Sequence, residues 1–393
     1  MAEIDSQKWL EKVSANTTDK EKELLKRAID VLVYNIPDDP KTPWYPKKCV
    51  VPANGIPWLY GIWNWDTAFH AIGLSHFDLE IARENIVTFL SFQNEDGMLP
   101  DVVRGTNGEI IRNYSKPPVM PWAAQRIYEL QKDEDFLNFV YPRFVKYEKF
   151  LSENRCDKGM FHYDVTMPKD RVLSDEEYHT WAGYDTGWDN SVRWDKGIVN
   201  LYPIDLNCYM VMFYRAMSYF ARELNLNGDV LMWNSREKDL IDRINSTLWD
   251  DKNKAYVDAD RFTGEKSKVL TPASFMPLFI EIASKERADY MNILASNKNK
   301  FFPGMPSVAY DDPEYSLGYW RGVTWLNIAY FAAKGLKNYG YKVADEIKDY
   351  ILDMCYDVKT GIHENYDSVN RTGANVDHFS WSAVFIIEFI KNF

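Results

Sequence analysis

The chain of 393 residues has only four cysteines, Cys49, Cys156, Cys208 and Cys355, far apart and without a CxxC pair. That spacing indicates neither a zinc ribbon nor a dense disulfide frame. Histidine is also sparse, with six residues at 70, 76, 162, 179, 363 and 378. No HxH or HExxH spacing occurs among them, which argues against a transition-metal site. Basic runs are absent, and 46 Lys+Arg against 58 Asp+Glu leave a net charge of −12, so a nucleic-acid partner is not expected. No stretch offers the roughly 20 apolar residues of a membrane span. The start, Met1 to Leu10, carries Glu3, Asp5 and Lys8 where a signal peptide would be apolar. The expected setting is the cytoplasm, with no membrane partner. No Pro-, Ser- or Gly-rich linker interrupts the chain, so a single domain over 1–393 is expected.

What the chain does have is aromatic side chains. They make up 15% of it, including 14 Trp and 25 Tyr, more than packing alone calls for, since buried Trp and Tyr must find partners for their polar edges. A carbohydrate cleft uses both halves of such residues, the ring face for C–H stacking and the edge for hydrogen bonds.

Hydrophobic periodicity is helical throughout. Over 19–36, Leu24, Leu25, Ala28, Ile29, Leu32 and Val33 recur on one face while Lys20, Glu21, Lys26, Arg27 and Asp30 take the other. Similar amphipathic stretches cover 78–92, 133–154, 228–249, 284–297 and 340–355. Between them lie segments apolar nearly all round, at 65–75, 120–131, 204–224, 272–283, 321–336 and 378–392. A helix apolar on every side is covered on every side. Twelve helices, half-exposed and buried in alternation, predict two concentric rings: an all-α (α/α)6 toroid. Four amphipathic helices run into similar turns, at 94–99, 156–161, 251–256 and 357–362. In these turns a Gly or Asn is expected to close the helix with a positive φ.

Aromatic and acidic motifs precede the buried helices: Trp63-Asn64-Trp65-Asp66, Ser115-Lys116-Pro117-Pro118, Tyr202-Pro203-Ile204-Asp205, Tyr319-Trp320-Arg321-Gly322 and Asp377-His378-Phe379-Ser380-Trp381. If those helices form the inner ring, the motifs collect at one mouth. Two further segments, Gly187-Trp188-Asp189-Asn190 and His363-Glu364-Asn365-Tyr366-Asp367, each set carboxylates among aromatic and polar residues. Cleaving a glycosidic bond needs two carboxyl groups, a proton donor and a base.

At these motifs the chain resembles the inverting glycosidases of glycoside hydrolase family 63 and the related trehalases of family 37. It is closest in style to the small mannosylglycerate and glucosylglycerate hydrolases. The resemblance spans about 60–392 and lies in the order WNWDTAFHA, SKPPV, GWDNSVRW, YWRGVTWLN and HENYD. It implies the same toroid, no cofactor, Asp189 as general acid and Glu364 as general base. Lys116 departs from the family, which commonly has Gln there, so a lysine could pair with an anionic aglycone.

Other residues of the motifs are weighed against structural roles. Trp188 and Trp194 could wall off Asp189 and raise its pKa. His363, Asn365 and Tyr366 could supply polar contacts to Glu364. Asp185 and Asp195 are rival acids, and Asp367 is a rival base. Trp65 and Asp66 are expected on the sugar, although Asp66 could cap the following helix. Arg321 either touches substrate or ion-pairs with Asp66 or Asp205. Trp63, Gly187, Tyr319, Trp320 and Trp381 complete the expected sugar site, and His70 is read as a core hydrogen-bonder. The leading function is an inverting exo-acting α-glycosidase releasing one sugar from a small α-glucoside or α-mannoside such as glucosyl- or mannosylglycerate, trehalose or a short α-glucoside. The alternatives are a sugar epimerase or isomerase on the same toroid and a non-catalytic sugar-binding protein.

Overall fold

The computed structural model describes residues 4–37, 48–168, 170–195 and 197–393. Met1 to Glu3, part of the charged start, lie outside the described residues. Fourteen α-helices occur among the described residues: α1 (Ser6–Val13), α2 (Asp19–Tyr34), α3 (Asn64–Leu74), α4 (Leu79–Leu90), α5 (Met120–Gln131), α6 (Glu134–Asn154), α7 (Asp175–Thr186), α8 (Ile204–Glu223), α9 (Asn227–Thr247), α10 (Met276–Phe279), α11 (Lys285–Ala295), α12 (Leu326–Asn338), α13 (Val343–Asp357) and α14 (Ser380–Lys391).

The twelve expected helices are α2 to α6 and α8 to α14. Burial separates them as the patterns predict. All eleven residues of α3 are buried, whereas the 21-residue α9 buries only Trp233, Leu240 and Ile244. Six helices close a ring: α3 packs on α5, α5 on α8, α8 on α10, α10 on α12, α12 on α14, and α14 back on α3. The alternate helices pack outside it, α4 on α3, α9 on α8 and α13 on α12. This is the (α/α)6 toroid. Each outer helix carries the chain back, so consecutive inner helices start at the same mouth.

The differences have local causes. The segment expected as a helix over 272–283 is a 3₁₀ turn, Pro272–Phe275, followed by the four-residue α10. Pro272 and Pro277 each withhold a backbone donor there, which limits regular helix to short pieces. The helix expected from 321 starts only at Leu326, because Thr324 is bridged to Tyr366 as extended chain. Two helices escape the sequence reading: α1, amphipathic but only eight residues long, and α7, which carries no clear periodicity. The second is started by a capping box between Ser174 and Glu177.

The repeated turns do not close helices in the expected way. Cys156–Asp157 pairs with Met160–Phe161, and Trp249–Asp250 with Ala255–Tyr256, so two of them are β-hairpins. The helix ends before them, Arg155 and Leu248, keep negative φ values of −132° and −105°. The positive φ values come later in the turns: Gly97 at 97° and Gly361 at 149° as expected, Lys158 at 51° and Gly159 at 77° in the first hairpin, and Lys254 at 53° rather than Asn253 in the second. Two successive positive φ values match the twist of the flanking strands.

Candidate active site

The motifs that precede the inner helices do meet. Trp65, in the first turn of α3, lies edge-on to Trp381 of α14 at 5.1 Å and tilted against Trp320 at 6.3 Å. Trp320 stacks flat on Trp325 at 3.8 Å and on Trp188 at 5.0 Å. Five indoles from four chain segments thus form one wall. Trp63 stands apart from it, on the strand Gly61–Trp63, with the Arg104 guanidinium 5.4 Å from its ring.

The segment bearing Asp189 is set by close backbone contacts. Gly187 ends α7 with φ 73°, and a Cβ there would come within 2.7 Å of the Trp65 ring. Only glycine accepts both that φ and that approach, so Gly187 is a packing residue against Trp65. Asn190 then clips this loop to another: its Oδ1 accepts from Trp320 N at 3.0 Å and its Nδ2 donates to Gly318 O at 3.2 Å.

Asp189 keeps 26% of its side chain exposed, yet its shielded Oδ1 has no hydrogen-bond partner. Burial raises its pKa, and the Lys116 ammonium, 3.8 Å from Oδ1, pulls it back. Trp188 and Trp194 are buried beside it as expected, and the Arg193 guanidinium lies 4.8 and 4.3 Å from their rings. The rival acids are occupied. Asp185 accepts from Ser115 N and Oγ and from Asp164 N, and Asp195 is paired with Arg321.

Glu364 is 3% exposed and enters just before the strand Asn365–Asp367. Its Oε1 accepts from the Tyr319 hydroxyl at 2.8 Å. Burial raises its pKa to about 7; Tyr319 and a backbone bond with Val376 oppose this, and the charge of Asp189 adds to it. The expected neighbours do not reach the carboxyl. Asn365 accepts from Asn375, and the Tyr366 hydroxyl accepts from His363 N. Tyr319, 45 residues earlier in sequence, supplies the contact instead. The rival base Asp367 accepts from Val369 N, Asn370 N and Asn370 Nδ2, which makes it the pin of a hairpin turn.

Two more carboxylates complete the mouth. Asp66 lies in the first turn of α3 but does not cap it, since Trp63 occupies the cap position. Burial raises it to about 8, opposed by Lys116. Asp101, which the sequence reading missed, is raised to about 7 by burial, again opposed by Lys116. A Pro-Asp pair leading into a short strand is too common a pattern to single it out. Lys116 itself is neither solvated nor opposite Asp66 across the cleft. It is 7% exposed, with Nζ 2.6 Å from Tyr184 O, 3.6 Å from Asp101 Oδ1 and 3.8 Å from Asp189 Oδ1.

Arg321 takes neither of the partners expected of it, Asp66 or Asp205. Arg321 pairs with Asp195 through both nitrogens at 2.8 Å and with Glu314 at 3.4 Å, at the rim and not inside the ring. Asp205 is held by Arg193, which also grips Asp258 at 2.9 Å. Arg193 lies near Asp205 in sequence but was not considered; Asp258, 65 residues away, gave no signal. His70 Nε2 meets Ser380 Oγ at 2.5 Å in the core, the structural role expected of it. Between Asp189 and Arg321 opens a cavity of about 390 Å³, lined also by His179, Thr180, Tyr184, Asn190 and Tyr319. Among the described residues, no group of three or more His, Cys, Asp or Glu is arranged to hold a metal ion.

Residues 59–382 match the model of the mannosylglycerate hydrolase MGH1-like glycoside hydrolase domain. A mannosylglycerate hydrolase of Selaginella moellendorffii is 26% identical over 86% of this chain and 82% of its own length. Another, from Thermus thermophilus, is 25% identical over 85% of this chain and 94% of its own. Among solved structures, a family 63 mannosylglycerate hydrolase of Thermus thermophilus in complex with Tris and D-glycerate superposes with a TM-score of 0.75. It is 22% identical and is matched over 93% of this chain and 99% of that one. The neutral trehalase of Saccharomyces cerevisiae gives a TM-score of 0.71 at 18% identity, over 87% of this chain and 73% of that one. At such identities the two structures speak for the fold.

Proposed function

The chain belongs to the mannosylglycerate hydrolase MGH1-like glycoside hydrolase family, and on that premise we propose that it is an inverting, exo-acting α-glycosidase with Asp189 as acid and Glu364 as base. The observation that carries the reading is the state of the carboxylates. Asp185, Asp195 and Asp367 are engaged by close donors or a tight ion pair, whereas Asp189 lines a cavity with 26% of its side chain exposed and only the Lys116 ammonium at 3.8 Å, and Glu364 holds one tyrosine hydroxyl.

In this mechanism Asp189 protonates the leaving oxygen. Glu364 deprotonates a water that attacks the opposite face of the anomeric carbon, in one displacement without a covalent intermediate. Burial favours the protonated acid. It also raises Glu364, so the Tyr319 hydrogen bond matters for keeping the base ionised. Trp65, Trp320 and Trp381 supply apolar faces and Asp66 a carboxylate for sugar hydroxyls. The substrates proposed are mannosyl- and glucosylglycerate, trehalose and short α-glucosides. Among the described histidines, His179 alone lines the cavity, which disfavours the epimerase reading.

We also read the chain as one catalytic domain, because a single apolar core includes residues from Trp9 to Phe389. No helix among the described residues is long and apolar enough to cross a membrane; a cytoplasmic setting is proposed from composition alone. The reading is tested with a panel of α-mannosides, α-glucosides and their glycerate conjugates, following released sugar by NMR. The expected result is release of one monosaccharide from at least one of them, with the β anomer formed first. Initial α anomer would make the enzyme a retaining one, and no release from any would favour the sugar-binding alternative.

A further inference from the structure

Lys116 is the sole cation within ion-pair distance of the cleft carboxylates Asp101 and Asp189 among the described residues. Its backbone is unusual as well: φ is +58°, a left-handed conformation that costs a non-glycine residue energy and persists where the surroundings enforce it. The ammonium is enclosed by protein groups on every side. Asp101 leads into the strand Val102–Arg104, Asp189 belongs to the loop after α7, Asp66 to α3 and Tyr184 to α7, and Tyr114 comes from its own segment. The rings of Tyr114 and Tyr184 lie 5.8 and 6.0 Å from Nζ. Tyr184 O, at 2.6 Å, takes one of its three protons.

From this arrangement we propose that Lys116 is a positioning residue for the proton donor, a built-in counter-ion shared by Asp189 and Asp101 and not a contact for the leaving group. The inference rests on Asp189 being the donor. Its chemistry is simple. An ammonium beside a carboxyl favours the ionised form, so it opposes the burial that keeps a donor protonated. Asp101 competes for the same ammonium at 3.6 Å and is itself negative when ionised, so it weakens the pull of Lys116 on Asp189. The lysine and Asp101 together set the pH at which the donor loses its proton. Other charged groups near the pair are Asp185 and Arg104 around Asp101, and Glu364 and Tyr319 across the cleft. Burial dominates Glu364, with Tyr319, Val376 and Asp189 as its other influences, so changes at Lys116 reach it indirectly.

The test is the pH profile of kcat, whose basic limb reports the donor and whose acidic limb reports the base. Lys116→Gln and Lys116→Met are each expected to move the basic limb up by roughly 1–3 pH units, with the acidic limb and KM little changed. Lys116→Arg, which keeps the charge, should hold the wild-type limb. Asp101→Asn frees the ammonium for Asp189 and should move the basic limb down, which keeps the proposal falsifiable if the Lys116 variants do not fold. Unmoved limbs with a raised KM would assign Lys116 to the leaving group. Unmoved limbs with an unchanged KM, or an upward shift in Asp101→Asn, would also overturn it. The underlying reading is checked separately: an Asp189→Asn enzyme that keeps turnover and the wild-type basic limb removes Asp189 as donor, whatever Lys116 does.

Discussion

Two of the buried charge clusters on the inner ring, one toward each end, are built oppositely. At the mouth, Asp101 and Asp189 share one close cation, Lys116, which also acts on Asp66, while Glu364 holds only the Tyr319 hydroxyl; all four carboxyls are raised above their ordinary range, chiefly by burial. Toward the other end, Glu388 of α14 stands alone between Arg126 and His76. His76 Nε2 lies 2.7 Å from Oε1 and Arg126 Nη1 2.9 Å from Oε2, with Asn392 donating at 2.9 Å. Burial alone would raise Glu388 too, yet His76 and Arg126 hold it at about 2. Both clusters are desolvated. The difference lies in compensation: a paired carboxylate locks helices together, and a crowd of underpaired ones keeps the raised proton affinity that the proposed mechanism draws on.

The largest effects should come at the mouth. Asp189→Asn and Glu364→Gln are each expected to lower kcat by roughly 10²–10⁴-fold, with circular dichroism and melting temperature nearly unchanged. A variant with full activity would take that residue out of the mechanism.

At the opposite end the order should reverse. Glu388→Ala leaves Arg126 and His76 without their anion, and losing one partner of a buried pair costs about 3–5 kcal/mol. The lower part of that range is expected because those two side chains keep 19% and 14% exposure. Urea titration measures the loss, and kcat of the molecules still folded should stay at the wild-type level. A variant as stable as wild type, or one folded but inactive, would dissolve the contrast between the two ends.

The smallest effect is one of pH. Asp66 is raised from 3.8 to about 8, so between these values the folded chain holds a proton that the unfolded chain has released. Stability therefore falls as pH rises through that window. Glu388, lowered from 4.5 to about 2, has the opposite sign: its contribution is complete above about 4.5 and is lost as pH falls toward 2. Asp66→Asn should thus melt higher than wild type by a margin that grows from about pH 5 to about pH 8, at the expense of sugar binding. A margin independent of pH would show that Asp66 is not held protonated.

Much of this contrast was hidden in the sequence. Asp66, Asp189 and Glu364 could be picked out because each stands in a motif with aromatic and polar neighbours. Asp101 could not, having no such company. Glu388 showed only as a single charge in an apolar run, and its partners lie on α5 and just after α3. The hydroxyl serving Glu364 was expected from Tyr366, the neighbour in the chain, and came from Tyr319. Extended chain would bring Tyr366, two residues on, back to the face of Glu364, but its hydroxyl is taken by His363 N.

By itself the sequence determined the rings. Helical periodicity is a property of each segment alone, and a segment apolar all round must be enclosed, so twelve helices and their alternation could be read without coordinates. Bringing Asp189 and Glu364 to one site took the resemblance of their motifs as well. Which charges meet there was decided only by the tertiary structure. Whether Lys116 faces solvent, substrate or Asp189, and whether Arg321 or Arg193 holds Asp205, depends on where loops tens of residues apart are brought together. A Coulomb interaction follows distance in space and the dielectric around it, and neither is written in the order of the residues.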